Sequence, residues 1–225
     1  MIRKPWWKVL SVVLLLYTFT AGFLIKVPHS GNLYGTIRNL FFHVPMWFAM
    51  MVLFIVSVVY AVLHLRNPTI KSDIYSREYA KAGIVFGVLG LVTGSIWANY
   101  TWGEPWSNDP KQLLAAIALL IYAAYFILRN SIPDLDKRAR IAAVYNVFAC
   151  AMLFPTIWII PRMVESLHPG GQGVEGNPAM AGKDLDPRMR MVFWPAVIGW
   201  TLLGVWITTL RIRFELFIEK QMVNG

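Results

Sequence analysis

The chain has 225 residues, of which 57% are hydrophobic and only 15% are charged. Average proteins carry about 25% charged residues, and a soluble domain has nowhere to hide so much apolar surface, so a soluble globular protein is excluded. The net charge of +9 lies in short basic clusters between apolar runs, which is the distribution of membrane topology and not of a nucleic-acid groove.

The runs are long enough to span a bilayer, which takes about 20 residues at roughly 1.5 Å rise each. Arg3, Lys4 and Lys8 flank the first run, which extends to about Ile25. Its core exceeds the roughly 7–15 residues of a signal peptide, and no small-x-small cleavage site follows. It reads as a retained helix, 6–25, with Trp6 and Trp7 as interfacial anchors. A polar loop, 26–40, contains His29. The second helix, 41–65, opens in Phe41-Phe-His43-Val-Pro45-Met-Trp47. Pro45 suits a first turn, where its missing N–H costs nothing, so His43 sits near the mouth of the helix. His64 is at the other end and cannot share a site with it.

Arg66 to Lys81 reads as a polar, basic connection. The third helix, 82–97, carries Gly83, Gly87, Gly90 and Gly94, a small-xxx-small pattern that lets a neighbouring helix approach; packing accounts for it. The loop 98–109 follows. Asp109-Pro110-Lys111-Gln112 reads as a helix start, with Asp at the N-cap, Pro first and Gln at the capping-box position, and the fourth helix covers 110–128. After the basic connection 129–140 comes the fifth helix, 141–160, kinked by Pro155. The polar segment 161–190 begins with a short helix over 162–168 and passes into a Gly- and Pro-rich stretch. Asp186-Pro187 repeats the helix-start signal before the sixth helix, 191–210, and a polar tail holds Arg211, Arg213 and Lys220. Cys150, the single cysteine, lies in an apolar run as a small packing residue. It excludes an intramolecular disulfide, a CxxC redox pair and a CxxCH site of covalent haem attachment.

The expected fold is therefore all-α: one integral membrane domain, 1–225, a bundle of six transmembrane helices. Six spans put both termini on one side. Of the 21 Lys and Arg, only Lys26, Arg38, Lys111, Arg162, Lys183, Arg188 and Arg190 fall on the opposite side. The positive-inside rule makes the termini cytoplasmic and puts His43, His168 and the Trp-rich loop outside.

The most loaded stretch is Trp97-Ala-Asn-Tyr-Thr-Trp102-Gly-Glu-Pro-Trp106-Ser-Asn-Asp109-Pro-Lys111. Interfacial belts account for Trp6, Trp7, Trp194 and Trp206. Trp102 and Trp106 instead lie in a loop shaped by Gly103 and Pro105, where they offer a platform for something flat. A ring stacked on a planar ligand contributes on the order of 1–3 kcal/mol, by analogy with bases on protein aromatics. His29 and His64 need no special role, whereas His43 and His168 share a side with this loop. A metal-only site is disfavoured by the lack of HxxxH, HxxE or a Cys pair. Haem needs only one or two axial nitrogens with aromatic and apolar walls; Lys111, Arg162, Arg188 and Arg190 are the cations available to its propionates.

The segment WGEPWSNDPK resembles the tryptophan-rich WWD signature of haem-handling proteins of cytochrome c maturation, roughly WGxxWxWDxR. Size, six helices, FFHVPMW before the motif and a His in the last outer loop resemble the CcmC type, a haem exporter, more than the larger CcmF and CcsA. The resemblance implies that His43 and His168 are axial ligands to a non-covalent haem b, and that Trp102, Gly103, Trp106 and Asp109 form its platform beside Lys111. It implies a non-enzymatic protein of the bacterial inner membrane. That protein would present haem at the outer face to a haem chaperone of the CcmE type and work with an ABC transporter of the CcmAB type. The chain has no GxxxxGK[ST] motif, so ATP hydrolysis falls to the partner. Asn108 stands where the pattern has a third Trp, which removes a stacking surface. Lys111 stands where it has Arg, which keeps the charge but loses the bidentate fork. Rival readings are a membrane electron-transfer subunit of the cytochrome b kind, which needs His pairs inside facing helices, a solute transporter, which needs intramembrane charges, and a scaffold subunit without haem.

Overall fold

The computed structural model describes residues 5–28, 35–168 and 185–224. These residues are helical apart from short links, and six helices are long and apolar enough to cross a membrane, so the chain is a polytopic membrane protein. The order is α1 (Trp6–Leu24), a 3-10 turn (Thr36–Phe41), α2 (His43–Arg66), α3 (Ile70–Trp102), α4 (Pro110–Asn130), α5 (Leu135–Phe154), a π turn (Pro155–Ile159), a short α6 (Ile160–Met163) and α7 (Pro187–Asn224).

Three helices outrun the bounds expected from hydropathy: side-chain caps start α3 and α5 earlier, and polar residues of α3 and α7 that look like connections are paired across the bundle. α3 starts at Ile70, where the Thr69 hydroxyl caps it by accepting from the Ser72 N–H at 3.1 Å. α5 starts after Asp134, which accepts from the Lys137 N–H at 2.8 Å. α7 continues through the supposed tail. Glu78 of α3, 1% exposed, takes Lys81 and Arg77 at 2.8 Å and Arg211 of α7 at 3.3 Å, while Arg77 also reaches Glu215 at 2.6 Å. The spans are thus not free of charge as hydropathy implies, because acids and bases neutralise one another between α3 and α7.

α2 is the central helix. Its Met50, Leu53 and Phe54 pack among Phe86 of α3, Leu119 and Tyr122 of α4 and Leu153 of α5, with Phe54 stacked flat on Tyr122. Asn146 of α5 donates to Ser57 of α2 at 2.7 Å and Ser76 of α3 at 3.0 Å, a buried polar knot joining three helices. α1 packs chiefly on α7, where the Ser11 hydroxyl donates to the Gly199 carbonyl at 3.1 Å. Pro155 opens the π turn at which α5 changes course, and the Thr156 hydroxyl donates to the Met152 and Leu153 carbonyls there.

At the termini end, Arg129 of α4, its side chain 4% exposed, makes a bidentate pair with Asp73 of α3 at 2.7 and 2.5 Å. Removing one partner of a buried pair leaves an uncompensated charge and costs about 3–5 kcal/mol. Asp73→Ala should lower the unfolding free energy by about that amount, measured by thermal melts of the detergent-purified protein. A shift under about 1 kcal/mol would class the pair with surface bridges.

Candidate functional site

The opposite end of the bundle gathers the residues singled out in the sequence. His43 is the first residue of α2, reached through the 3-10 turn. Its Nδ1 lies 2.8 Å from the Gly90 carbonyl and 3.2 Å from the Thr93 hydroxyl. The Thr93 hydroxyl is in donor reach of the Leu89 and Gly90 carbonyls, so the His43 Nδ1 carries the proton and Nε2 keeps a lone pair, the arrangement that second-shell acceptors impose on ligating histidines. A Cβ on Gly94 would lie 2.6 Å from His43 Cε1, and one on Gly90 would lie 2.9 Å from Trp47 Cε2. Helix packing is therefore only part of what the α3 glycines do, since two of them make the seats of His43 and Trp47.

α3 continues through Trp102 and stops at Gly103, whose φ of 88° forms a left-handed C-cap with its N–H on the Asn99 carbonyl. Glycine adopts that conformation without the penalty a side chain brings. Trp102 is thus on the last turn of a helix and not in a loop. Its ring meets Trp97 edge-on at 5.0 Å, and both rings contact His168, at 4.8 Å from Trp102 and 5.8 Å from Trp97. Trp106 stands apart, half-exposed, with its indole N–H donating to the Asn108 Oδ1 at 3.0 Å. Asn108 has φ 55°, a left-handed conformation that Asn tolerates better than bulky residues do, which gives a local reason for Asn at this place.

Asp109 does more than cap α4. One oxygen accepts the Lys111 N–H at 2.9 Å, as the N-cap signal predicts. The carboxylate also accepts the Leu167 N–H at 2.6 Å, the Ser166 hydroxyl at 2.9 Å and the His168 Nδ1–H at 2.9 Å. It is 3% exposed. Burial pushes its pKa upward, but the His168 hydrogen bond and charge, helped by Leu167 and Ser166, outweigh that and hold the carboxyl well below the usual carboxylate range. Gln112 departs from a capping box: its side-chain oxygen accepts from the Ser107 N–H and hydroxyl, and its amide donates to the Pro105 carbonyl, so it braces the loop before the cap.

His43 and His168 line one cleft of about 160 Å³, with Trp47, Leu91 and Ile157 as apolar walls and Lys111 on its lining. Both imidazoles are tied through Nδ1, and among the described residues neither Nε2 has a hydrogen-bond partner. Trp102 borders the cleft through His168, Asp109 stands behind His168, and Trp106 and Gly103 lie outside the lining. Arg188 pairs with Asp186 at 3.2 Å at the start of α7, and the Arg190 guanidinium donates to the Leu185 carbonyl at 3.1 Å. The side chain of Arg162, and His29 and Lys183, lie outside the described residues. The short helix expected over 162–168 is instead α6, Ile160–Met163, after which the chain extends to place Ser166 and Leu167 on Asp109. His64, at the other end, is held by the Thr69 carbonyl and the Ser72 hydroxyl. Trp47 and Trp97, which the sequence reading names without assigning them to the site, and Ser166, which it does not name, also contribute. Trp97, the last residue of the expected third helix, already falls at this end, but nothing local marks Ser166.

Among the described residues, then, the fold is that of a polytopic membrane protein in which two anchored imidazoles share one largely apolar cleft beside a tryptophan cluster. Comparison with known proteins narrows that class. The family model described as cytochrome C assembly protein matches residues 5–169, and the chain belongs to that family. It is 28% identical to the heme exporter protein C of Bradyrhizobium diazoefficiens, over 96% of this chain and 80% of that protein. It is 26% identical to the heme exporter protein C of Escherichia coli K12, over 96% and 85%. A shorter match, 41% identical over 48% of this chain and 32% of the relative, is to the cytochrome c biogenesis protein CcsA of Thermosynechococcus vestitus.

Proposed function

We propose that this protein binds haem b non-covalently between His43 and His168. It presents that cargo at the outer face of the bacterial inner membrane to a haem chaperone of the CcmE type, alongside an ABC transporter of the CcmAB type. The observation that carries the reading is the pair of histidines on one cleft, each with Nδ1 engaged and Nε2 without a partner among the described residues. The names of the full-length relatives, heme exporter protein C, point the same way. The donor set fits the cargo: haem supplies an iron that accepts two axial imidazole nitrogens, the walls are apolar, and Lys111 suits a propionate.

The protein's own residues set how firmly the cargo is held. Asp109 and the Gly90 carbonyl fix the two rings, and such second-shell groups typically account for 10–100-fold in metal affinity. The cleft is smaller than the roughly 300–1,000 Å³ of sites that enclose a ligand, so cargo held there keeps an exposed edge. Trp102 and Trp106 stand at that end to cover it until a partner does. With no CxxCH in the chain, release breaks coordinate bonds and no covalent link.

The test is haem content of the purified protein together with haem delivered to the co-expressed chaperone. Trp106→Ala should lower both by at least threefold with the helices still inserted. Full occupancy and normal delivery would remove Trp106 from the platform, and a wild type that never acquires haem would sink the whole reading. Orientation is tested separately. In a Cys150→Ser background, Glu104→Cys should react with an impermeant thiol reagent in intact spheroplasts and Asp136→Cys should not; the reverse pattern inverts the topology.

A further inference from the structure

The termini end of the bundle contains a larger cavity, about 540 Å³, between α1, α2, α3 and α7. Its lining is aromatic and cationic: Trp7, Tyr60, Lys71, Tyr75 and Tyr79, closed below by Val205 and Ile212. Among the described residues no carboxylate lines it, and the acids nearby in the chain are taken, Asp73 by Arg129 and Glu78 by Arg77 and Lys81. Among the described residues, the hydroxyls of Tyr60, Tyr75 and Tyr79 have no hydrogen-bond partner. The indole N–H of Trp7, a residue 3% exposed, is buried without one. A buried donor left open, as the Trp7 N–H is, costs free energy unless an acceptor meets it.

The placement adds depth to the chemistry. Lys71 and Trp7 are each the second residue of a helix long and apolar enough to cross a membrane, the end that a span brings toward the headgroups, whereas Tyr79 lies about 12 Å further along α3 at roughly 1.5 Å per residue. The cavity thus offers a cation and hydrogen-bond donors at headgroup level and ring-lined walls below it. Basic and aromatic residues at that level are what anionic headgroups meet.

We propose that this cavity is a binding site for one anionic phospholipid. The phosphate is met by Lys71 and the tyrosine hydroxyls, and the upper acyl chains run along Tyr79, Val205 and Ile212. The lipid wedges α1 and α7 against α2 and α3, whose packing across this gap protein contacts leave incomplete. This site is independent of the histidine cleft and does not rest on the haem reading.

The test is native mass spectrometry of the full chain in detergent, titrated with phosphatidylglycerol or phosphatidylcholine. Phosphatidylglycerol should be retained at least tenfold better than phosphatidylcholine and should raise the melting temperature. Lys71 is exposed, so Lys71→Glu should fold normally and lose at least tenfold in retention, while Lys137→Glu, on another face, should not. Equal retention of the two lipids, or no loss in Lys71→Glu, overturns the proposal. Haem retained by a His43→Ala/His168→Ala variant and lost on adding Lys71→Glu overturns it in favour of a porphyrin in the cavity.

Discussion

Detergent-purified wild-type protein should show a low-spin, bis-histidine type visible spectrum, and His43→Ala and His168→Ala should each lose it, with haem content falling at least tenfold. The two variants should not be equivalent. His43 is held by a backbone carbonyl and a hydroxyl that already has other acceptors, so its loss leaves no buried charge behind. His168 is hydrogen-bonded to a carboxylate that is 3% exposed. Removing it strips a partner from that carboxylate and should also destabilise the loop, by about 1–3 kcal/mol for the unmet acceptor. His64→Ala, at the far end, is the control and should keep full haem. Unchanged haem content and spectrum in both site variants would show that neither ring is a ligand.

Asp109 should give the second large effect, and comparison of two substitutions separates its roles. Asp109→Ala removes the N-cap of α4, which alone costs about 0.5–2 kcal/mol, and abandons the Leu167 N–H, the Ser166 hydroxyl and the His168 ring together. Asp109→Asn still caps the helix but loses the charge that holds His168 through Nδ1. If Asp109 positions the ligand, Asn should fold like wild type yet bind haem about 10–100-fold more weakly, the usual span for a second-shell partner. A purely structural role predicts wild-type haem affinity in Asn and loss only in Ala. The linkage sign agrees with an ionised Asp109 at neutral pH. A carboxyl held below its ordinary range contributes stability above that range and loses it only as pH falls beneath it, so the loop should hold from pH 7 down to about pH 4.

Much of this protein is legible along the chain, because hydropathy, basic clusters and caps are local properties. Six spans, the Asp109-Pro110 helix start, the seclusion of His64 from His43 and the membership implied by the Trp-rich stretch all follow from neighbours in sequence. Helix ends are less legible where polar residues are paired at a distance. Glu78 looks like a connection until Arg211 is brought beside it, and Arg77 until Glu215 is.

The site divides along the same line. In sequence His43 and His168 stand out because they share a side with the Trp-rich loop, and Asp109 stands out as a helix N-cap and, through the resemblance, as part of the WWD-like stretch. That Asp109 holds the Nδ1 of a histidine 59 residues away, that Gly94 is bare so that His43 can sit against α3, and that Trp97 joins Trp102 around His168 are settled only by the packing of the helices. Local free energies choose helix or turn, but which side chain meets which across the bundle depends on how the helices cross, and no short stretch of sequence contains that information.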